Sequence, residues 1–210
     1  MFITEFLSRL PAVACALGLT SAIALISTST EAQTTRPTVL LVHGAWADSS
    51  SWNGVVDLLL RDGYDARALP NTLRGLEADA AVISTYLKTV SEPVVLVGHS
   101  YGGSVISVAS ANAPNVKALV YVDAFAPEAG ESIQEELASA PPPPADFTIA
   151  VPFTTPTGGD ADLYVNAKYF GVIFASAESP EVAARLAATQ RPWAARCSLS
   201  IHQSAVQRRP

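Results

Sequence analysis

Cysteine and charged residues are both scarce in this sequence, and each scarcity excludes a class of function. Only two cysteines occur among the 210 residues, Cys15 and Cys197, which is too few for a cysteine-based metal site. The 13 basic residues stand against 19 acidic ones, and no basic cluster occurs beyond Arg208 and Arg209. A nucleic-acid partner is therefore disfavoured. Since the sequence has neither a cluster of metal ligands nor a phosphate-binding loop, we expect no metal and no organic cofactor.

The beginning of the chain differs in composition from the rest. Residues 10–26 form a mostly apolar run, and two small residues, Thr30 and Ala32, occupy the −3 and −1 positions of a cleavage site. This pattern is typical of a secretory signal peptide over residues 1–32. A proline and a glycine interrupt the apolar run, which disfavours the alternative of an uncleaved membrane anchor. We therefore expect an exported protein, periplasmic or extracellular, without stable membrane association after signal removal. If Cys15 leaves with the signal, the mature protein has no internal disulfide.

From residue 37 onward, short apolar runs alternate with stretches of helical periodicity. This alternation predicts an α/β fold, with a parallel sheet flanked by helices, over a core at residues 33–126. The predicted strands are residues 38–43, 64–69, 94–97 and 116–122, and the predicted helices are residues 52–62, 75–90 and 101–113.

The alternation stops after the fourth predicted strand. Residues 127–190 contain a proline run, a short and a longer helical segment, and no further strand of the earlier kind. We interpret this region as a cap over the carboxyl edge of the sheet, where parallel sheets bind ligands. Asp160 and Asp162 are expected to be solvated there, in a polar turn. Residues 191–210 form an atypical tail without a convincing strand.

Residues 98–102, GHSYG, match the pattern G-x-S-x-G between a predicted strand and a predicted helix. Such a turn strains the serine backbone and lifts its hydroxyl above the sheet, so Ser100 is the candidate nucleophile. The amide of Tyr101, at the start of the helix, points to where an oxyanion would form. Gly44, after the first strand, lets the backbone bend so that the amide of Ala45 can donate to the same oxyanion.

The segments LLVHGAW, LVGHSYGG and LVYVDAFAPEAGES occur in an order and spacing that resemble the α/β-hydrolase superfamily. The resemblance covers residues 37–190 and is to the compact esterases that are similar to plant methylesterases and hydroxynitrile lyases. It implies that Ser100 is acylated, that the amides of Tyr101 and Ala45 form the oxyanion hole, and that the cap shapes the pocket. An apolar cap favours a small hydrophobic ester as the substrate.

A serine nucleophile requires a base, and the sequence offers only three histidines. His99 precedes the serine on the same tight turn, and His43 lies in the oxyanion loop, where a structural hydrogen bond is the expected role. His202 comes last, as the chain order of this fold requires, and Asp123 ends the fourth strand. The candidate triad is thus Ser100, His202 and Asp123. The alternatives are a surface histidine in an unstructured tail and an aspartate that only caps a turn.

In the family that the chain resembles, two further strands follow the cap, and the loops after them carry the acid and the histidine. Residues 191–210 contain neither strand convincingly, so we expect a C-terminally truncated or frameshifted chain. The strand at residues 116–122 would then be an unpaired apolar edge. Three functions stay open: ester hydrolysis through an acyl-enzyme at Ser100, a vestigial binding module without a base, and a lyase. The lyase would need a polar cap residue such as Lys168.

Overall fold

The computed structural model describes residues 36–156 and 158–200. The predicted signal peptide at residues 1–32 and the candidate base His202 lie outside these described residues. Across the described part of the chain, no helix has both the length and the apolar character needed to span a membrane. The strands are β1 (Thr38–Val42), β2 (Ala66–Leu69), β3 (Val94–Ser100), β4 (Val116–Ala124), β5 (Thr148–Thr155), β6 (Gly158–Val165) and β7 (Trp193–Ala194). The helices are α1 (Asn53–Arg61), α2 (Leu76–Leu87), α3 (Tyr101–Ala109), α4 (Ile133–Leu137), α5 (Ala167–Ile173), α6 (Pro180–Thr189) and α7 (Arg196–Leu199).

The first four strands form a parallel sheet with the order β2-β1-β3-β4, which confirms the predicted fold class. All five residues of β1 are buried, because successive side chains of this central strand enter different cores on the two faces. Leu40 and Val42 pack with residues of α2 and α3 on one face. Val39 and Leu41 pack with Trp52, just before α1, on the other face.

Strand β4 lies at the edge of this sheet, as the sequence predicted. Its Val120 and Val122 side chains are 41% and 42% exposed. Among the described residues, β3 is the strand that pairs with β4. Within the part of the chain that the structure describes, β4 is thus an edge strand with exposed apolar side chains, and such edges favour pairing with another strand or aggregation.

Residues 127–190, the predicted cap and called the cap below, contribute two strands to a second sheet that the sequence analysis did not predict. Strands β5 and β6 form an antiparallel hairpin, and β7 pairs with β6. The sequence analysis predicted no further strand of the buried, parallel kind within residues 127–190, and these two strands are antiparallel, with β5 largely exposed. The tail also contributes a short strand. Strand β5 carries Pro152, which has no N–H to donate, but β5 is an edge strand of this sheet, where a proline is tolerated.

Asp160 and Asp162 also differ from their predicted setting. Both lie in β6 rather than in a solvated turn, and both form ion pairs. Asp160 pairs with Arg196 of α7, and Asp162 pairs with Arg74, in the loop before α2. Burial acts to raise the pKa of Asp160, but hydrogen bonds from Arg196 and from the backbone N–H of Ala161 together hold it below its usual value. The two ion pairs join the cap sheet to segments outside it.

Candidate active site

Ser100 occupies a strained turn between β3 and α3. Its backbone has φ of +52° and ψ of −124°, and Tyr101 begins the helix immediately after it. Non-glycine residues with such φ angles are uncommon, cost on the order of 1–3 kcal/mol, and persist where the surrounding structure holds them in place. The Ser100 side chain makes no capping hydrogen bond to α3 and is half-buried. Its hydroxyl is thus not used to stabilise the helix that follows it.

Two glycines allow the loop after β1 to approach this turn. A Cβ atom added at Gly44 would lie 2.8 Å from Cβ of Ser100, and one at Gly102 would lie 2.5 Å from the carbonyl oxygen of Val42. Real Cβ atoms do not approach so closely, so any larger residue would separate the two segments. The backbone around Gly44 therefore lies directly beside the candidate nucleophile.

His43 is completely buried and hydrogen-bonded at both ring nitrogens. Its Nε2 accepts the backbone N–H of Asn71 at 2.9 Å, so Nε2 carries no proton. The neutral ring then has its proton on Nδ1, which donates to the carbonyl oxygen of Gly44 at 2.9 Å. Burial lowers the pKa of His43, consistent with the neutral form. The predicted structural hydrogen bond is confirmed, and this imidazole has no free nitrogen for a proton transfer.

The loop after β1 continues into an aromatic cluster (Trp46, Phe147, Phe174 and Trp193). Ala45 is half-buried, and Trp46 follows it with φ of +59°. The Trp46 ring makes edge contacts with the other three rings, at centroid distances of 5.2 to 6.3 Å. Its indole N–H donates to the carbonyl oxygen of Leu163 in β6 at 2.8 Å. The residue after Ala45 is therefore bound to the cap.

His99 and Asp123 lie close enough to influence each other. His99 is exposed, and its ring contacts Trp52 edge-on at a centroid distance of 6.4 Å. Partial desolvation lowers the pKa of His99, and the negative charge of Asp123 opposes that effect. Asp123 is exposed, has φ of +43°, and lies at an irregularity in the β3–β4 pairing, where Ser100 pairs with Ala124.

Two polar residues near the turn carry no motif and were missed by the sequence analysis. Asp79 is completely buried and accepts the Tyr101 hydroxyl at 2.7 Å. Asn71, also buried, donates its backbone N–H and its side-chain amide to His43. All three hydrogen bonds span more than twenty residues of sequence, so local periodicity does not indicate them. The described residues contain no group of three or more His, Cys, Asp or Glu that could hold a metal ion.

These observations together define a class of protein. A parallel sheet flanked by helices, with a strained serine turn at the carboxyl end of a central strand and a glycine loop beside it, is the architecture of α/β hydrolases. A family model for the alpha/beta hydrolase family matches residues 39–209. The chain belongs to this family.

Comparison with individual proteins agrees with the resemblance inferred from the motifs. The chain is 37% identical over 119 residues to a carbendazim hydrolyzing esterase of Nocardioides sp. (strain SG-4G), covering 50% of this chain and 48% of that protein. It is 30% identical over 121 residues to Methylesterase 8 of Arabidopsis thaliana, covering 50% and 44%. The chain thus spans about half the length of the curated relatives it matches. The crystal structure of polyneuridine aldehyde esterase has the same fold, with a TM-score of 0.64 at 17% identity over 75% of this chain and 69% of that one.

Proposed function

We propose that the protein is a serine carboxylic-ester hydrolase with Ser100 as its nucleophile. The observation that carries this proposal is the backbone of Ser100, which has a positive φ at the junction of β3 and α3. Strain of this kind is characteristic of the nucleophile turn of α/β hydrolases, where it exposes the serine hydroxyl above the sheet. The esterases and methylesterases among the relatives support the same reaction class.

The reaction proceeds in two halves. The Ser100 oxygen attacks the ester carbonyl carbon while a base takes the hydroxyl proton, and the backbone N–H groups of Tyr101 and Ala45 donate to the resulting oxyanion. The intermediate collapses to an acyl-enzyme, and the departing alkoxide takes the proton from the base. Water then attacks the acyl group with the same base accepting its proton, and the acid leaves as Ser100 is restored.

We assign the base to His202 and the supporting carboxylate to Asp123. His43 is unsuitable because both of its ring nitrogens are hydrogen-bonded, and His99 packs against Trp52. His202 is the remaining histidine and follows the serine in the chain order of this fold. Asp123 lies at the end of the strand next to the one that carries Ser100, which is a position compatible with a triad acid.

For the substrate we propose a small hydrophobic ester. The aromatic cluster begins at Trp46, the residue after the proposed oxyanion donor Ala45, and it includes Phe174 of the cap, which is 42% exposed. Apolar rings beside an oxyanion loop would stabilise an apolar acyl or alcohol group by removing its surface from water.

Two other functions differ from this one in their expected behaviour. A vestigial binding module would bind esters without turnover, because it has no base. One observation favours it: both ring nitrogens of His43 are hydrogen-bonded, so this histidine is not available as a base. A lyase would need Lys168 near the reacting centre. Lys168 is instead exposed and paired with the exposed Asp146, so the structure gives the lyase no support.

The test is hydrolysis of 4-nitrophenyl acetate by the purified protein and three variants. Ser100→Ala is expected to abolish turnover and the covalent labelling of the protein by a fluorophosphonate. Ser104→Ala is the matched control, because Ser104 lies one turn further along α3 and its buried hydroxyl has no hydrogen-bond partner among the described residues. His202→Ala is expected to lose turnover as well. Turnover that survives in Ser100→Ala would overturn the assignment of the nucleophile, and binding without turnover in the unaltered protein would favour the binding module.

We also propose that the protein is exported. The composition of residues 1–32 supports this, and residues 1–32 would be absent from the mature protein. Amino-terminal sequencing of protein recovered from outside the cytoplasm is expected to begin at Gln33. Recovery of an intact Met1 from the cytoplasmic fraction alone would contradict export.

A further inference from the structure

Asp79 is a buried carboxylate, and both of its oxygens accept hydrogen bonds. Its side chain has no solvent exposure, and it lies in the first turn of α2. One oxygen accepts the Thr72 hydroxyl and the backbone N–H of Arg74, the latter at 3.1 Å. The other oxygen accepts the Tyr101 hydroxyl at 2.7 Å. Burying a carboxylate is costly unless it is hydrogen-bonded, and this donor set satisfies both oxygens and confines the side chain to one orientation.

Tyr101 connects this carboxylate to the serine turn. Its side chain is 1% exposed and contacts the Trp193 ring edge-on at 5.6 Å. Burial raises the pKa of the Tyr101 hydroxyl far above its usual value, so the hydroxyl keeps its proton and donates it to Asp79. The buried Cys197 thiol lies close enough to the Tyr101 hydroxyl for each to influence the pKa of the other, and burial raises the pKa of this thiol to about 12. The ring is therefore held at its far end, while its backbone N–H lies next to Ser100.

We propose that Asp79 is a positioning residue, which orients the backbone N–H of Tyr101 towards the oxyanion by holding the Tyr101 hydroxyl. This inference rests on the proposed function, in which that N–H is one of two oxyanion donors. The strained backbone of Ser100 requires support from its surroundings, and the Tyr101 side chain, held at its hydroxyl by Asp79, supplies part of it. Oxyanion donors stabilise the transition state only when they are already aimed at the developing charge.

The other proposed oxyanion donor is supported from the same segment. Asn71, directly before Thr72, donates its backbone N–H to His43 at 2.9 Å and its side-chain amide to the carbonyl oxygen of His43 at 3.2 Å. His43 is two residues before Ala45. The loop that contributes donors to Asp79 thus also contacts the oxyanion loop, so one segment supports the two amides from outside the reacting centre.

The decisive variant is Tyr101→Phe, which removes the hydroxyl and keeps the ring. Its matched control is Tyr121→Phe. Tyr121 belongs to β4, and its hydroxyl is also hydrogen-bonded to α3, at a distance of 2.8 Å from the Ser107 hydroxyl. With 4-nitrophenyl acetate, Tyr101→Phe is expected to lower kcat about tenfold with little change in KM, less than the 10²- to 10³-fold cost of deleting an oxyanion donor. The affinity for benzeneboronic acid, whose serine adduct has an oxygen at the oxyanion position, is expected to fall by a similar factor. The control is expected to retain both values.

A second variant tests Asp79 itself. Asp79→Asn keeps an oxygen for Thr72 and Arg74 and presents an amide to the Tyr101 hydroxyl, so it is expected to lose less kcat than Asp79→Ala. Equal losses in the two variants, or a loss confined to KM, would overturn the positioning role.

A measurement without turnover separates this inference from the proposed function. The residual dipolar coupling and the ¹⁵N order parameter of the Tyr101 N–H report its orientation and mobility in the protein alone. Both are expected to change in Tyr101→Phe and to stay constant in Tyr121→Phe. If the coupling and the order parameter of the residue 101 N–H are the same in Tyr101→Phe as in the unaltered protein, the inference is overturned, even if the esterase is active. A protein that hydrolyses no ester but shows the expected NMR change would contradict the proposed function and support the positioning of this amide.

Discussion

The indole N–H of Trp46 donates a hydrogen bond of 2.8 Å to the carbonyl oxygen of Leu163, which joins the loop after β1 to strand β6 of the cap. The backbone N–H of Arg191 donates to the carbonyl oxygen of Trp46 at 3.3 Å, and the Arg191 guanidinium donates to the carbonyl oxygen of Asn71 at 3.0 Å. The proposed oxyanion loop is therefore hydrogen-bonded to the cap at Leu163 and to Arg191, which directly follows the cap. A displacement of β6 is therefore expected to move the loop that contains Ala45.

Trp46→Phe is expected to destabilise the protein by about 1–3 kcal/mol beyond the packing loss, because the Leu163 carbonyl loses its side-chain donor. Trp52→Phe is the control, since the indole nitrogen of Trp52 is buried and has no hydrogen-bond partner among the described residues. Urea unfolding of both variants measures the difference. A cost for Trp52→Phe as large as that for Trp46→Phe would show that packing alone accounts for both effects.

Gly44→Ala is expected to reduce esterase activity strongly and to lower stability, because its new Cβ would lie 2.8 Å from Cβ of Ser100. Gly54→Ala offers the opposite case. Gly54 lies in α1, and a Cβ there would meet no atom within 4 Å, so alanine is expected to stabilise the helix by about 0.5–1 kcal/mol. Activity assays and thermal unfolding test both variants, and unaltered activity in Gly44→Ala would contradict the close contact of the two segments.

Ser100→Gly is expected to be more stable than Ser100→Ala by about 1 kcal/mol or more. Alanine keeps a Cβ atom and therefore the strain of φ at +52°, whereas glycine adopts positive φ at little cost. Both variants lack the Ser100 hydroxyl, so their difference in stability reports the cost of the backbone conformation. Equal midpoints in thermal unfolding would mean that the turn is not strained in solution.

The buried neutral His43 predicts a specific pH dependence of stability. Its pKa is lowered from 6.5 in the folded protein, so the unfolded chain binds more protons between the folded pKa and 6.5. The free energy of unfolding is therefore expected to fall as the pH decreases below about 6.5, and to be insensitive to this group above that pH. Protonation of Nε2 would also break its hydrogen bond with the Asn71 N–H.

Urea titrations from about pH 5 to about pH 8 measure this dependence. His43→Gln is expected to reduce the slope, and His99→Gln serves as the comparison for an exposed ring whose pKa is also lowered. NMR of the His43 ring is expected to show the neutral tautomer with its proton on Nδ1. A ring that titrates at 6.5 would contradict the buried arrangement.

The sequence predicted the core more completely than the cap. The starts of β1, β3 and β4 coincide with the predicted residues. Strand β1 and most of β3 are buried, and such parallel strands appear in the sequence as continuous apolar runs. Strand β3 extends to Ser100 beyond its predicted end, since pairing with β4 continues into the serine turn. The cap hairpin was missed because β5 is largely exposed and interrupted by Pro152, so its strand character depends on pairing with β6.

The amino-acid sequence by itself determined the class of fold and the serine turn. Apolar runs, helical periodicity and the glycines around Ser100 act over a few residues, so they can be recognised without a structure. Only the tertiary structure decided that the partner of His43 Nε2 is the Asn71 N–H, that β6 carries ion-paired carboxylates, and that Asp79 holds the Tyr101 hydroxyl. Each of these contacts joins residues more than twenty positions apart. Polar side chains have no periodic pattern that identifies such partners, which are brought together only when the chain packs around one core.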